Sequence, residues 1–184
     1  MECTNSFDKY EYMRNKIDTE KFFWHTLCDN YLEIVKYKLY NPDGNEDTAK
    51  YCLYFGLLNV LKLVAPIMPH ITEEIYHTYY SKKEGKKSIH LSDWPKSDKK
   101  LIDDNIEESG DVVIDIISAV RKYKSKKNLS LNAELNQLII ECSKNNLKSD
   151  LESVFNDLKG TLNIKEIEFG KAKEECGEIK ISIS

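Results

Sequence analysis

Residues 22–33 read FFWHTLCDNYLE. They lie in a stretch from about Phe7 to Tyr40 that contains neither glycine nor proline, so the whole stretch reads as helix, with a bend expected near Asp18 and Thr19. A helical wheel at about 100° per residue gathers Phe23, Trp24, Leu27, Cys28, Tyr31, Leu32, Ile34, Val35 and Leu39 into one arc. That arc is expected to face a core, with Trp24 and Tyr31 as its anchors. The other half carries Phe22, His25, Asp29, Lys36 and Tyr37, together with Thr26, Asn30, Glu33 and Tyr40. Lys38 is the one charge in the apolar arc, near its end, where a long side chain can snorkel to water.

His25 and Cys28 have an i,i+3 spacing that suits a pair of metal ligands. They point to opposite sides of the wheel and have no second pair nearby, so no metal site is expected. The outer stripe combines a cation, a carboxylate and aromatic rings. Such a surface suits unpaired bases, which stack on rings and offer their edges to side chains. The same pattern also fits an ordinary solvated face whose aromatics are covered by neighbouring helices, and the residues alone leave both readings open.

The chain has 184 residues, enough for one domain or two small ones. At 41% hydrophobic and 32% charged residues it can build a core. Seven glycines and four prolines favour long regular elements over a turn-rich β fold. A net charge of −4 does not mark a nucleic-acid binder, so any such role must rest on local patches. Five irregularly spaced cysteines without a C-x-x-C are the usage of a reducing cytoplasm. No apolar run approaches the ~18–20 residues of a membrane span, and the N-terminus has no signal-peptide pattern. Met1 leads straight into charged helical sequence, as expected of a segment of a longer chain.

The rest of the chain sorts into elements. NPDGNEDT (41–48) is a turn, punctuated by Pro42 and Gly44, and Asp47 or Thr48 is placed to cap a helix reaching about Val64. A third helix is expected from Pro69 to about Tyr80, with Pro69 in its first turn. IHLSDWP (89–95) reads as an extended link. A fourth long helix covers about 103–126, with Val113, Ile116, Ile117 and Val120 on one face. Beyond it, residues 137–142, 163–169 and 178–184 have strand patterns, and 147–159 returns to helical period with Gly160 as its expected C-cap. The fold class is therefore mainly α: a helical bundle over 1–128, then a small β-α-β-β module over 129–184.

The fourth helix is polarised. Asp103, Asp104, Glu107, Glu108, Asp111 and Asp115 come first, and RKYKSKK (121–127) comes last. Acids first and bases last complement the helix dipole. The same basic tail can hold phosphates, with Arg121, Lys122, Lys126 and Lys127 as candidates beside Lys38. KKEGKK (82–87) is a second basic loop, read as a soluble one. There is no Gly-rich phosphate loop, G-x-S-x-G or H-E-x-x-H. The four histidines are dispersed, and no nucleophile accompanies His70 and Asp93. The chain therefore reads as a binding or scaffold unit without catalytic residues.

Four segments carry a family resemblance. FFWHTLCDNYLEIVKYKLYN (22–41), LKLVAPIMPHITEEIY (61–76), SIHLSDWP (88–95) and AVRKYKSKKNLSLNAEL (119–135) stand in the order and spacing of class I aminoacyl-tRNA synthetases of the valine type, closest in form to archaeal-type enzymes. Leu27 stands where that family often has Phe, an exchange of one apolar core residue for another. The resemblance implies an anticodon-binding helical bundle whose first helix is truncated here, followed by a small α/β appendage. It implies a tRNA partner, tRNA-Val, and a catalytic Rossmann domain elsewhere on the full-length chain. That domain would carry the HIGH and KMSKS signatures and the ATP and Mg²⁺, with no cofactor in this segment; YKSKKN (123–128) lies on a bundle helix and is not KMSKS. Asp29 and Lys36 match the family motif directly as base-contact candidates. Phe22, His25 and Tyr37 join them from the wheel, and the phosphate candidates from the charge map. Neither membrane nor DNA is an expected partner. Isoleucine enzymes share similar segments and remain an alternative, as does a helical protein-interaction module.

Overall fold

A computed structural model describes residues 2–41 and 46–184. The turn expected at Pro42 and Gly44 lies outside the described residues. In chain order the elements are α1 (Glu2–Asp8), α2 (Tyr12–Lys21), a π-helical stretch (Phe22–Leu32), α3 (Glu33–Tyr40), α4 (Glu46–Val64), α5 (Pro69–Tyr79), α6 (Ser81–Glu84), α7 (Asp104–Lys126), β1 (Leu135–Glu141), α8 (Asn145–Ser153), α9 (Phe155–Leu162), β2 (Ile164–Phe169), β3 (Glu174–Cys176) and β4 (Ile179–Ile183). Two compact units emerge, Met1–Glu33 with Asn41–Lys99, and Ile34–Tyr40 with Lys100–Ser184. A division after residue 128 follows the change from helix to strand, whereas compactness groups α7 and α3 with the sheet.

In the first unit, helix starts and stops follow local chemistry. Pro69 occupies the first turn of α5, where its missing N–H has no intrahelical partner to lose. Gly85, in the left-handed region at φ 67°, ends α6. The chain is α-helical through Asp18-Thr19, where a bend is expected from sequence. The helix breaks earlier, at Tyr10, whose φ of 60° is left-handed, and a new helix starts at Tyr12. The core is small and tyrosine-rich: Leu58, Leu61, Ala65, Tyr76, Tyr80 and Ile89. Its polar edges are tied down. The Tyr54 hydroxyl donates to Glu84 Oε1 at 2.9 Å, and burial, then this carboxylate, pushes its pKa up to about 12. Glu73 accepts from the Ile89 N–H and the Ser88 hydroxyl, both at 3.0 Å. That turn, read as extended from sequence, is a short 3₁₀ turn over Ile89–Leu91. The Trp94 indole N–H reaches back to Thr4 Oγ1 at 3.0 Å.

The second unit is a helix-backed sheet. Strand order is β2-β1-β4-β3, with β1 parallel to β2 and the other pairs antiparallel. The parallel pair requires a crossover, which α8 and α9 supply. Alternation along β1 buries Leu138 and Ile140, and Leu135 at its start is buried out of that phase. They meet Ile116, Ile117 and Val120 of α7, Leu151 of α8, and Leu158 and Leu162 of α9 in one continuous core. Asp103 caps α7 by accepting from the N–H groups of Asn105 and Ile106. The helix read over 147–159 is two helices, parted at Val154. The β-α-β-β reading omits β3, a three-residue strand beside β4. Gly160 is not the cap of α9. It lies inside the helix, and Asn163 at φ 51° closes it.

Candidate nucleic-acid interface

In the first unit the stripe expected to face outward does so. Phe22, His25 and Asp29 are exposed, and His25 Nδ1 stands 3.3 Å from Asp29 Oδ2, one turn apart. The Asn30 amide donates to the His25 carbonyl at 2.7 Å, across five residues. Asn30 belongs to the polar half of the wheel, but the pattern alone does not single it out.

The inner arc needs correction. Leu27 is buried, whereas Tyr31, Cys28 and Phe23 are half-buried and Trp24 is 57% exposed. The backbone is π-helical here, so each residue turns less about the axis than the α-helical value that the wheel assumes. Angular positions drift, and the tryptophan comes out beside Phe23, with ring centroids 5.0 Å apart. Both rings border an apolar groove of about 240 Å³ with Leu57, Met68 and Ile71. Burial, then the neighbouring Asp29 charge, pushes the Cys28 thiol pKa up, which suppresses thiolate chemistry. Among the described residues no three His, Cys, Asp or Glu side chains are grouped to hold a metal.

The remaining candidates belong to the second unit. On α3, Lys36 is exposed and Tyr37 is 38% exposed. Lys38 turns the other way: its ammonium lies 2.7 Å from Asp157, a carboxylate buried to 6% exposure. The structure thus gives Lys38 an internal ion-pair partner, where the sequence reading sends its charge out to phosphates. At the end of α7, Lys122, Lys126 and Lys127 are exposed and Arg121 is half-buried. Lys127 Nζ stands 5.9 Å from the Tyr123 ring centroid. The fifth cation of this run is no surface charge. Lys124 is 1% exposed and donates to the carbonyls of Leu131 and Leu162 at 2.8 and 2.6 Å. Burial lowers its pKa. The acidic start of α7 is met within its own unit, where Lys144 bridges Glu108 and Glu178 and is held above its usual pKa by those two hydrogen bonds.

Of the candidate side chains, Phe22, His25 and Asp29 are exposed in the first unit, and Lys36, Tyr37, Lys122, Lys126 and Lys127 in the second; residues 1–140 match the family model described as the anticodon-binding domain of tRNA ligase. The chain belongs to that family. Relatives of this anticodon-binding domain extend through the sheet as well. The valine–tRNA ligase of Thermococcus kodakarensis is 37% identical over 182 residues, covering 98% of this chain and 20% of that protein. Those of Methanothermobacter thermautotrophicus and Wolbachia pipientis wMel are 34% and 36% identical, each covering 99% of this chain. The chain thus spans about a fifth of the length of the curated relatives it matches. No helix among its described residues is long and apolar enough to cross a membrane.

Proposed function

We propose that this chain is the tRNA-docking part of a valine–tRNA ligase, and that it holds the anticodon arm of tRNA-Val in the cytoplasm. The observation that carries this is the family match over residues 1–140 together with relatives named valine–tRNA ligase that cover nearly the whole chain. Anticodon bases splay out of their loop, stack on Phe22 and Tyr37, and offer their edges to His25, Asp29 and Lys36. Lys122, Lys126, Lys127 and Arg121 neutralise backbone phosphates; Lys38 contributes there only by exchanging Asp157 for a phosphate. Holding the arm places the acceptor end in a catalytic domain of the same full-length chain. The ATP and Mg²⁺ of the ligase reaction are held by that domain, so the tRNA-docking part carries no catalytic residue.

The test is binding of tRNA-Val transcripts by point variants. Asp29→Ala and Lys36→Ala are expected to weaken binding and to reduce discrimination against transcripts with altered anticodons. Unchanged affinity and unchanged discrimination in both would show that neither side chain reads the anticodon. Neutralising Arg121 and Lys122 is expected to reduce the slope of log affinity against log salt by about 1 for each phosphate no longer neutralised. An unreduced slope would leave the basic tail to dipole capping.

A further inference from the structure

Glycine inside a helix is unfavourable relative to alanine, yet Gly160 stands inside α9 and is not among the glycines with positive φ. What the position requires is space. A Cβ built on Gly160 would overlap Cγ, Cδ2 and Cε2 of the Tyr37 ring, so the ring lies directly on the bare backbone of α9. Two further links flank this seat. Asp157 pairs with Lys38 at 2.7 Å, and the Thr161 hydroxyl donates to the Ile34 carbonyl at 3.3 Å. The residues involved are 157, 160 and 161 on α9 and 38, 37 and 34 on α3. Each set has the i, i+3, i+4 spacing of one helix face, and the pairing runs in opposite order, as between antiparallel helices. Lys36 is outside this set and exposed.

We infer that Gly160 is a positioning residue for tRNA recognition: with Asp157 and Thr161 it seats α3 so that the ring of Tyr37 is held in one orientation at the surface. This rests on the reading of α3 as part of the tRNA interface. It gives the C-terminal α/β module a task, that of a brace which makes no base contact itself and fixes the side chains that do. A ring held in advance loses little conformational entropy when a base stacks on it, so the brace acts through affinity for tRNA.

The experiment is a double-mutant cycle in the full-length ligase, reading the KM for tRNA, the kcat for aminoacylation, and valine-dependent ATP–pyrophosphate exchange, which needs no tRNA. Gly160→Ala is expected to raise the KM for tRNA about tenfold, within the range of one lost base stack, with kcat and exchange unchanged. In the Tyr37→Ala background the same substitution is expected to add nothing, because the ring it displaces is gone; that double variant also serves as the folding control. Asp157→Asn is expected to move KM in the same direction by a smaller factor. A Tyr37→Ala variant with raised KM beside a Gly160→Ala variant with normal KM would overturn the inference and leave the interface standing. The same penalty from Gly160→Ala with and without Tyr37, or a loss of exchange activity, would overturn it too, since the effect would then be general destabilisation. An unchanged KM in Tyr37→Ala would remove Tyr37 from the interface and the inference with it, while Lys36→Ala tests the rest of α3 separately.

Discussion

The two units protect themselves from water in different ways. The second closes a continuous aliphatic core between a sheet and its helices, with Leu138, Ile140, Ile116 and Leu151 fully buried. The first gathers four buried residues around two buried tyrosines and ties its edges with side-chain hydrogen bonds. Among the described residues, most of the exposed large hydrophobics belong to the first unit, including Met13, Ile17, Trp24, Met68 and Ile71. A scaffold can close a full core, whereas a unit that keeps apolar surface outside gives up part of that burial energy. Aliphatic packing thus carries the second unit, and polar anchoring carries much of the first.

The largest expected effect breaks the aliphatic side of this contrast. Leu138→Ala, at a fully buried position of β1, is expected to cost about 2–5 kcal/mol in chemical denaturation. Hydrogen exchange should show protection lost along β1 and β4. A cost below about 1 kcal/mol would mean that this core is loosely packed.

Next comes the polar side. Glu73→Gln is expected to cost about 1.5–3 kcal/mol, because a charged acceptor of two hydrogen bonds becomes a neutral one. Burial alone would raise the Glu73 pKa, but the Ile89 and Ser88 hydrogen bonds and the neighbouring His77 and His90 outweigh it and hold the carboxyl below its usual 4.5. With the folded pKa lowered, the stabilisation is complete above 4.5 and is lost as pH falls through the folded value. Acid titration of the first unit should therefore lose part of its slope in Glu73→Gln, and an unchanged acid limb would refute the assignment.

Lys124→Met sharpens the comparison, because it removes a polar anchor buried in the aliphatic unit. It is expected to cost about 1–3 kcal/mol, since the carbonyls of Leu131 and Leu162 lose their donor. The pH slope has the same sign as for Glu73 but lies in an alkaline window. A lowered lysine pKa means that between the folded value and 10.5 the unfolded chain binds more protons, so this residue adds stability as pH rises through that window. The variant should lack that rise. Least of all, breaking the exposed Lys16–Glu20 pair at 3.3 Å with Lys16→Ala should change thermal stability by less than about 0.5 kcal/mol. A larger loss would show that surface charge supports the first unit more than its geometry suggests.

How far the sequence can be read follows the same divide. α4, α5, α7 and the strands β1, β2 and β4 are legible because period and proline placement agree; the cap expected at Asp47 or Thr48 is not one, since both lie inside α4. The break at Tyr10 is not, since no glycine or proline marks a left-handed residue there. The wheel puts Trp24 inside because it assumes α-helical rotation through a π-helical stretch. For the interface, the pattern points to His25, Asp29, Lys36 and Tyr37, and the structure exposes all four. Lys38 and Gly160 escape a local reading because α9 and α3, which explain them, are more than a hundred residues apart in sequence. Sequence distance hides such partners. The available local signal is weak, a glycine one turn short of where its helix closes.

That distance has a consequence in time. Ile34 is held by Thr161, 127 residues further along. At synthesis rates of about 5–20 residues per second, α3 leaves the ribosome on the order of ten seconds before the helix that seats it. For that interval it is helical sequence without its dock, and a chain stopped anywhere before α9 would carry Lys36 and Tyr37 but not the brace that orders them.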